Sequence, residues 1–192
     1  MFRELLRERL GGIAKLTDEQ AQALEAHYNL LVRWNRTVNL TAIRDLNEVI
    51  KRHYCESIFL AARLPAGRLK IVDVGSGAGF PGLAVAVCRP DCLVTLIESH
   101  QRKAVFLKEA ARSLPNVRVV VSRAEQLHEE FDLAISRAVS YQGLLPSLKL
   151  LAPAADLLTG AESAPPDMGF VWEPPIPMPW GKRRYLRVGH RF

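Results

Sequence analysis

The chain has 192 residues, 48% hydrophobic and 24% charged, which supports one sizeable core with an appendage and crowds out two large independent domains. No apolar run approaches the roughly 20 residues that a membrane span needs. Net charge is +6, and past Glu173 no acid follows while Lys182, Arg183, Arg184, Arg187 and Arg191 do, beside Trp180, Tyr185 and Phe192; such a tail suits a polyanion such as nucleic acid, or a solvated basic edge strand.

The start, Met1 to Glu8, mixes acids and bases and lacks an apolar leader stretch, so a cytoplasmic location is expected. Thr17-Asp18-Glu19-Gln20 has the form of a capping box, and Ala21, Leu24, Tyr28, Leu31 and Trp34 follow at helical spacing. Turn formers and β-branched residues break the pattern from Asn35 to Thr41. Asp45 and Glu48 then offer a second capping pair for a helix reaching about Leu64, before Pro65. On that helix Leu46, Val49, Ile50, Leu60, Ala61 and Leu64 form the apolar stripe, with His53 and Ser57 in its middle, so both polar groups face inward. Taken alone, His53 reads as a core histidine with a hydrogen-bond partner and Asn39 as a turn residue. Cys55, Cys88 and Cys92 are an odd count without a second ligand pair, hence reduced cysteines and no metal centre.

From Lys70 the rhythm changes. Strands are predicted at Lys70 to Val74, Leu93 to Glu98, Val117 to Val121 and Phe131 to Ser136, with helices at Pro81 to Val87, Gln101 to Leu114 and Tyr141 to Leu151. This alternation is the signature of βαβ units on a parallel sheet covered on both faces, an α/β architecture. Ala155 to Leu158, Phe170 to Trp172 and Tyr185 to Val188 are late strands, the last two an antiparallel edge. Pro165-Pro166 and the stretch from Glu173 to Pro179 are too proline-rich for regular structure and read as a stiff connector.

Ile71 to Gly82, Ile-Val-Asp-Val-Gly-Ser-Gly-Ala-Gly-Phe-Pro-Gly, is a buried strand, a backbone-only loop and a helix start. Its bare peptide groups fit a ligand held close. Gly77-x-Gly79-x-x-Gly82 matches the dinucleotide fingerprint, and Gly75-x-Gly77-x-Gly79 after Asp73 matches that of class I S-adenosylmethionine methyltransferases, so the loop alone leaves both cofactors open. Ligands of parallel sheets sit at the carboxyl ends of the strands. There the chain offers Glu98 for ribose hydroxyls, Ser122-Arg123-Ala124-Glu125 to border an adenine, and Ser136-Arg137-Ala138 to face a substrate.

Trp34-Asn35-x-x-x-Asn39-Leu40-Thr41, Arg52-His53, the glycine loop with its Phe80-Pro81-Gly82, Ser122-Arg123-Ala124-Glu125 and Ile135-Ser136-Arg137-Ala138 together resemble the glucose-inhibited division protein B family, the small-subunit ribosomal RNA guanine-N7 methyltransferases of bacteria. The resemblance runs from about Leu16 to Leu151. It implies a class I, Rossmann-like methyltransferase fold, mostly parallel, with a helical extension over residues 1–66 and the methyltransferase domain over 67–192. It also implies S-adenosylmethionine as cofactor, no metal, and 16S ribosomal RNA or the small ribosomal subunit as partner of a monomer. By motif, Gly75, Gly77, Phe80, Glu98, Ala124, Glu125 and Arg137 would bind the cofactor. Arg137 and Arg123 would sit where cofactor and RNA meet, and Asn39 and His53 would serve activity. Arg184 looks like the family's terminal arginine. The chain departs from the family pattern at Thr159, where a lysine is usual, and in its short proline-rich segment from Ala161 to Lys182. A nicotinamide oxidoreductase and a non-catalytic RNA-binding relic are the rival readings.

Overall fold

A computed structural model describes residues 1–137, 140–160 and 165–192. Ala138 of the Ile-Ser-Arg-Ala motif and the first four positions of the proline-rich segment lie outside the described residues.

Helix α1 (Phe2–Leu10) has no sequence counterpart above; its Phe2, Leu6 and Leu10, spaced by four, are buried. Helix α2 (Asp18–Trp34) opens on the expected capping box, with the Thr17 side chain accepting from the Gln20 N–H and the Gln20 side chain accepting from the Thr17 N–H. In the second capping pair only Asp45 caps. Its carboxylate accepts from the Glu48 N–H, while Glu48 pairs instead with Lys51 and Arg52. Helix α3 (Leu46–Val49) then widens into a π-helical segment, Ile50–Cys55, before resuming as α4 (Glu56–Ala61). His53 and Ser57 face inward as the stripe requires, 4% and 0% exposed.

Five strands run parallel: β1 (Lys70–Val74), β2 (Leu93–Ile97), β3 (Val117–Val120), β4 (Leu133–Arg137) and β5 (Ala154–Gly160). Their connectors are α5 (Gly82–Cys88), α6 (Gln101–Ala110) and α7 (Tyr141–Leu151), with a 3₁₀ turn at Ala124–Gln126. Pro81 stands just before α5 rather than inside it. The sheet order is β3-β2-β1-β4-β5-β8-β6, where β8 (Arg184–Arg191) returns antiparallel beside β5 and carries β6 (Phe170–Trp172) on its far side. The proline-rich stretch is more regular than expected, because Ile176–Pro177 forms a two-residue strand β7 against Leu186 and Tyr185. That placement on an edge is where proline is tolerated, since the missing N–H breaks no interior ladder.

Side chains alternate across the pleat. Ile71 and Ile135 join the core under α1 to α6, whereas Val72 and Ala134 join the second core under α7. The chain order reverses between β1 and β4, so the crevice at their carboxyl ends is the expected ligand position.

Candidate active site

At the carboxyl end of β1 the chain turns through Gly75, Gly77 and Gly79, with φ of 75°, 55° and 89°. Glycine adopts such angles without the steric cost a Cβ carries. The turn is pinned to the next strand, since the N–H groups of Gly75 and Ser76 both donate to Ile97 O at 3.0 Å. Glu98, following β2, holds it as well. Its Oε2 accepts from Gly77 N–H at 3.0 Å and its Oε1 from His100 N–H at 2.7 Å.

A cavity of about 260 Å³ opens here, bordered by Gly75, Glu98, Arg123, Ala124, Glu125 and Leu144. Five of the sequence-predicted positions therefore meet at one place. Gly77 reaches it through Glu98. Oε2 spends one lone pair on the loop and Oε1 one on His100 N–H, and each keeps another, so the same carboxylate helps order the glycine loop and still has acceptors for hydroxyls.

A second cavity, of about 140 Å³, adjoins it across Leu144 and is walled by Arg137, Tyr141, Thr159 and Arg184. Arg137 donates to Arg52 O from the helical extension and lies with its guanidinium 5.4 Å from the Phe80 ring centre. Phe80 itself is buried. His53 stacks on it at 4.8 Å and 23°, and Tyr54 meets it edge-on at 4.9 Å. His53 Nε2 lies 2.8 Å from Thr41 Oγ1, and its Nδ1 is buried with no partner among the described residues. Burial, with the Arg137 charge behind it, pushes the His53 pKa down to about 2, so the ring is neutral.

Thus Arg123 and Arg137 are not brought to one point. Arg123 stands exposed on the rim of the first cavity, 3.8 Å from Glu125, and Arg137 in the second. Asn39 is exposed on its loop. The residue that ties that loop together is Asn35, whose Oδ1 accepts from the Leu40 and Thr41 N–H groups and whose Nδ2 donates to Thr41 O.

The basic tail is also less free than its charge suggests. Arg184 forks the buried carboxylate of Glu56, Arg187 is 7% exposed, and Trp180 donates to Arg9 O at 2.7 Å. Glu56 carried no signal in sequence, because its partner lies 128 positions away.

Comparisons with known proteins bear on the family and the fold. The family described as "rRNA small subunit methyltransferase G" matches residues 20–149. The protein named ribosomal RNA small subunit methyltransferase G from Halorhodospira halophila is 44% identical over 164 residues, 82% of this chain and 78% of its own. Its namesake from Methylobacillus flagellatus is 42% identical over 137 residues, 69% of this chain and 66% of its own, so the chain spans just under two thirds of that relative. A crystal structure titled as a SAM-dependent methyltransferase from Aquifex aeolicus superimposes with a TM-score of 0.61 at 14% identity, over 76% of this chain and 93% of its own, which shows the Rossmann-like fold.

Proposed function

The chain belongs to the rRNA small subunit methyltransferase G family, and from that premise we propose that it methylates N7 of a guanine in 16S ribosomal RNA with S-adenosylmethionine as donor. The observation that carries the reading is the pair of adjoining cavities sharing Leu144, one bordered by Glu98, Ala124 and Glu125, the other by Arg137 and Arg184.

The first cavity suits that cofactor. Glu98 offers free carboxylate lone pairs for ribose hydroxyls, Val74, Ile97 and Leu144 give an apolar wall, and Gly75 puts no side chain in the way. When bound, the cofactor supplies a methyl group activated on a sulfonium. The family offers no counterpart for the nicotinamide cofactor that the glycine spacing alone also fits.

Guanine N7 carries a lone pair and no proton, so its methylation needs neither a general base nor a metal. The chain's task is orientation, which is worth up to ~7–11 kcal/mol. Arg137 orients RNA phosphate or the guanine O6/N7 edge, and exposed Arg123 adds salt-dependent attraction. Neutral His53 buttresses Phe80, and through it the loop. Asn39, exposed beside Leu40, meets the RNA. Residues 1–66 and 67–192 act as one unit, a cytoplasmic monomer; no helix among the described residues is long and apolar enough to cross a membrane.

The test is methyl transfer from labelled S-adenosylmethionine to small ribosomal particles and to naked 16S RNA, with Arg137→Ala beside the wild type. Label on guanine N7 from the wild type alone is expected. Label on no RNA, with the cofactor bound, overturns the substrate assignment. No binding of S-adenosylhomocysteine favours the relic.

A further inference from the structure

The glycine loop has a support that belongs to none of its motifs. His27 lies on α2 between Leu24 and Leu31 and is 3% exposed. Its Nε2 is 3.0 Å from Ala78 O and its Nδ1 is 2.9 Å from Tyr54 Oη. A carbonyl oxygen only accepts, so Nε2 carries the ring proton and donates to Ala78 O. Nδ1 then accepts from the Tyr54 hydroxyl, and one tautomer satisfies both contacts. Burial keeps the ring neutral, its pKa pushed down to about 4, so this single-proton form persists at working pH.

The same ring touches the next two loop residues. At Gly79, with φ +89°, a Cβ would stand 3.3 Å from His27 Nε2; the imidazole occupies the room that glycine leaves. The Phe80 ring lies edge-on to it at 5.1 Å and 72°. Ala78, Gly79 and Phe80 are therefore held by one side chain of the helical extension. Tyr54, its second partner, is itself packed edge-on against Phe2 of α1.

From this geometry we propose that His27 is a positioning residue for the methyl donor: it locks the 78–80 turn in the form that receives S-adenosylmethionine, and so makes the helical extension part of the cofactor site. The proposal rests on the cofactor reading above. A leucine at position 27 fills similar volume but leaves the Ala78 carbonyl buried and unpaired. Glutamine places its Nε2 donor where the ring nitrogen stands. Asparagine, shorter, keeps an acceptor near Tyr54 and loses the reach to Ala78.

The experiment is calorimetric titration of the full chain with S-adenosylhomocysteine, well below each variant's melting midpoint, alongside steady-state methyl transfer. His27→Leu is expected to weaken binding about tenfold, the equivalent of one lost buried hydrogen bond. It should raise KM for S-adenosylmethionine with kcat little changed, the pattern of lost uniform binding. His27→Gln is expected to restore most of the affinity. Should His27→Leu not fold, His27→Asn carries the same comparison against His27→Gln. A folded His27→Leu that binds like wild type, or a glutamine variant no better than leucine or asparagine, overturns the proposal while the cofactor reading stands. A wild-type chain that takes up no S-adenosylhomocysteine overturns the cofactor reading, and the proposal with it.

Discussion

Glu56 and Arg184 meet as a fork, Nε to Oε1 at 2.8 Å and Nη2 to Oε2 at 2.6 Å, joining the helix before the sheet to its antiparallel strand. Glu56 is 1% exposed and Arg184 20% by side chain. Removing either partner leaves the other charge poorly solvated, whereas removing both leaves none. Glu56→Ala and Arg184→Met should each cost about 3 kcal/mol, and the double variant clearly less than their sum. Urea unfolding at neutral pH measures all three. Additive losses would mean that the pair carries no coupling.

What the sequence made legible follows from how local each signal is. The βαβ alternation, the capping box at Thr17 and the strand-end positions Glu98 and Ala124-Glu125 are written within windows of ten residues, and they appear where periodicity puts them. The cavity proposed to take the cofactor was readable for that reason. Helix α1 is nine residues long and its N-cap, Met1, makes no side-chain cap; its Phe2, Leu6, Leu10 spacing was the available sign. Strand β7 hid among prolines because its pairing is supplied by β8. Arg184 and Arg187 looked like free cations since their burial depends on strand pairing across the whole chain. His27 was accessible in principle, for it stands three residues after Leu24 and four before Leu31, in the buried face of α2.

The Phe80-Pro81-Gly82 motif ends in glycine for want of space. A Cβ at Gly82 would stand 2.6 Å from Asp73 Oδ2 and would also strike Leu96 Cδ2. Gly82 N–H donates to that same Asp73 oxygen at 2.9 Å, so relief of the clash breaks the bond that seats α5 on β1. Gly82→Ala should destabilise the fold by ~2 kcal/mol or more, through overpacking plus a lost buried hydrogen bond. Thermal melts with and without S-adenosylhomocysteine check it; a melting midpoint equal to wild type would show that the core gives way at no cost.

Asp73 gives the fold a pH dependence with a definite sign. Burial raises its pKa from 3.8 to about 7, and Oδ1 has no partner among the described residues. The folded chain holds this proton more tightly than the unfolded one, so its contribution is complete below pH 4 and is lost as pH rises to about 7. At 1.36 kcal/mol per unit the loss is on the order of 4 kcal/mol. His27 and His53, neutral when buried, act oppositely as pH falls below 6.5, which flattens the wild-type curve. Asp73→Asn isolates the effect, because its amide oxygen still accepts from Gly82 N–H. The variant should gain stability over wild type steadily between pH 4.5 and 7.5 in denaturant titrations. A difference that stays constant across that window would place the Asp73 proton outside the folding equilibrium.

Arginines of this chain fall into two kinds, and salt dependence separates them. Arg123 has a side chain 73% exposed and only a 3.8 Å contact to Glu125, so Arg123→Ala should change stability by less than about 0.5 kcal/mol. If it meets phosphate, the slope of log affinity for RNA against log salt should fall by ~0.7–0.9, one counterion's worth. Lys182, exposed on the tail, should behave alike. Arg187 is 7% exposed with its guanidinium 5.4 Å from the Tyr185 ring centre. Arg187→Ala should therefore lower the melting midpoint and leave the salt slope as it was. The charge that the tail has available for a polyanion is then smaller than its run of basic residues suggests, since Arg184 and Arg187 are spent inside the fold. A stable Arg187→Ala whose slope drops as far as that of Arg123→Ala would return the whole tail to the RNA surface.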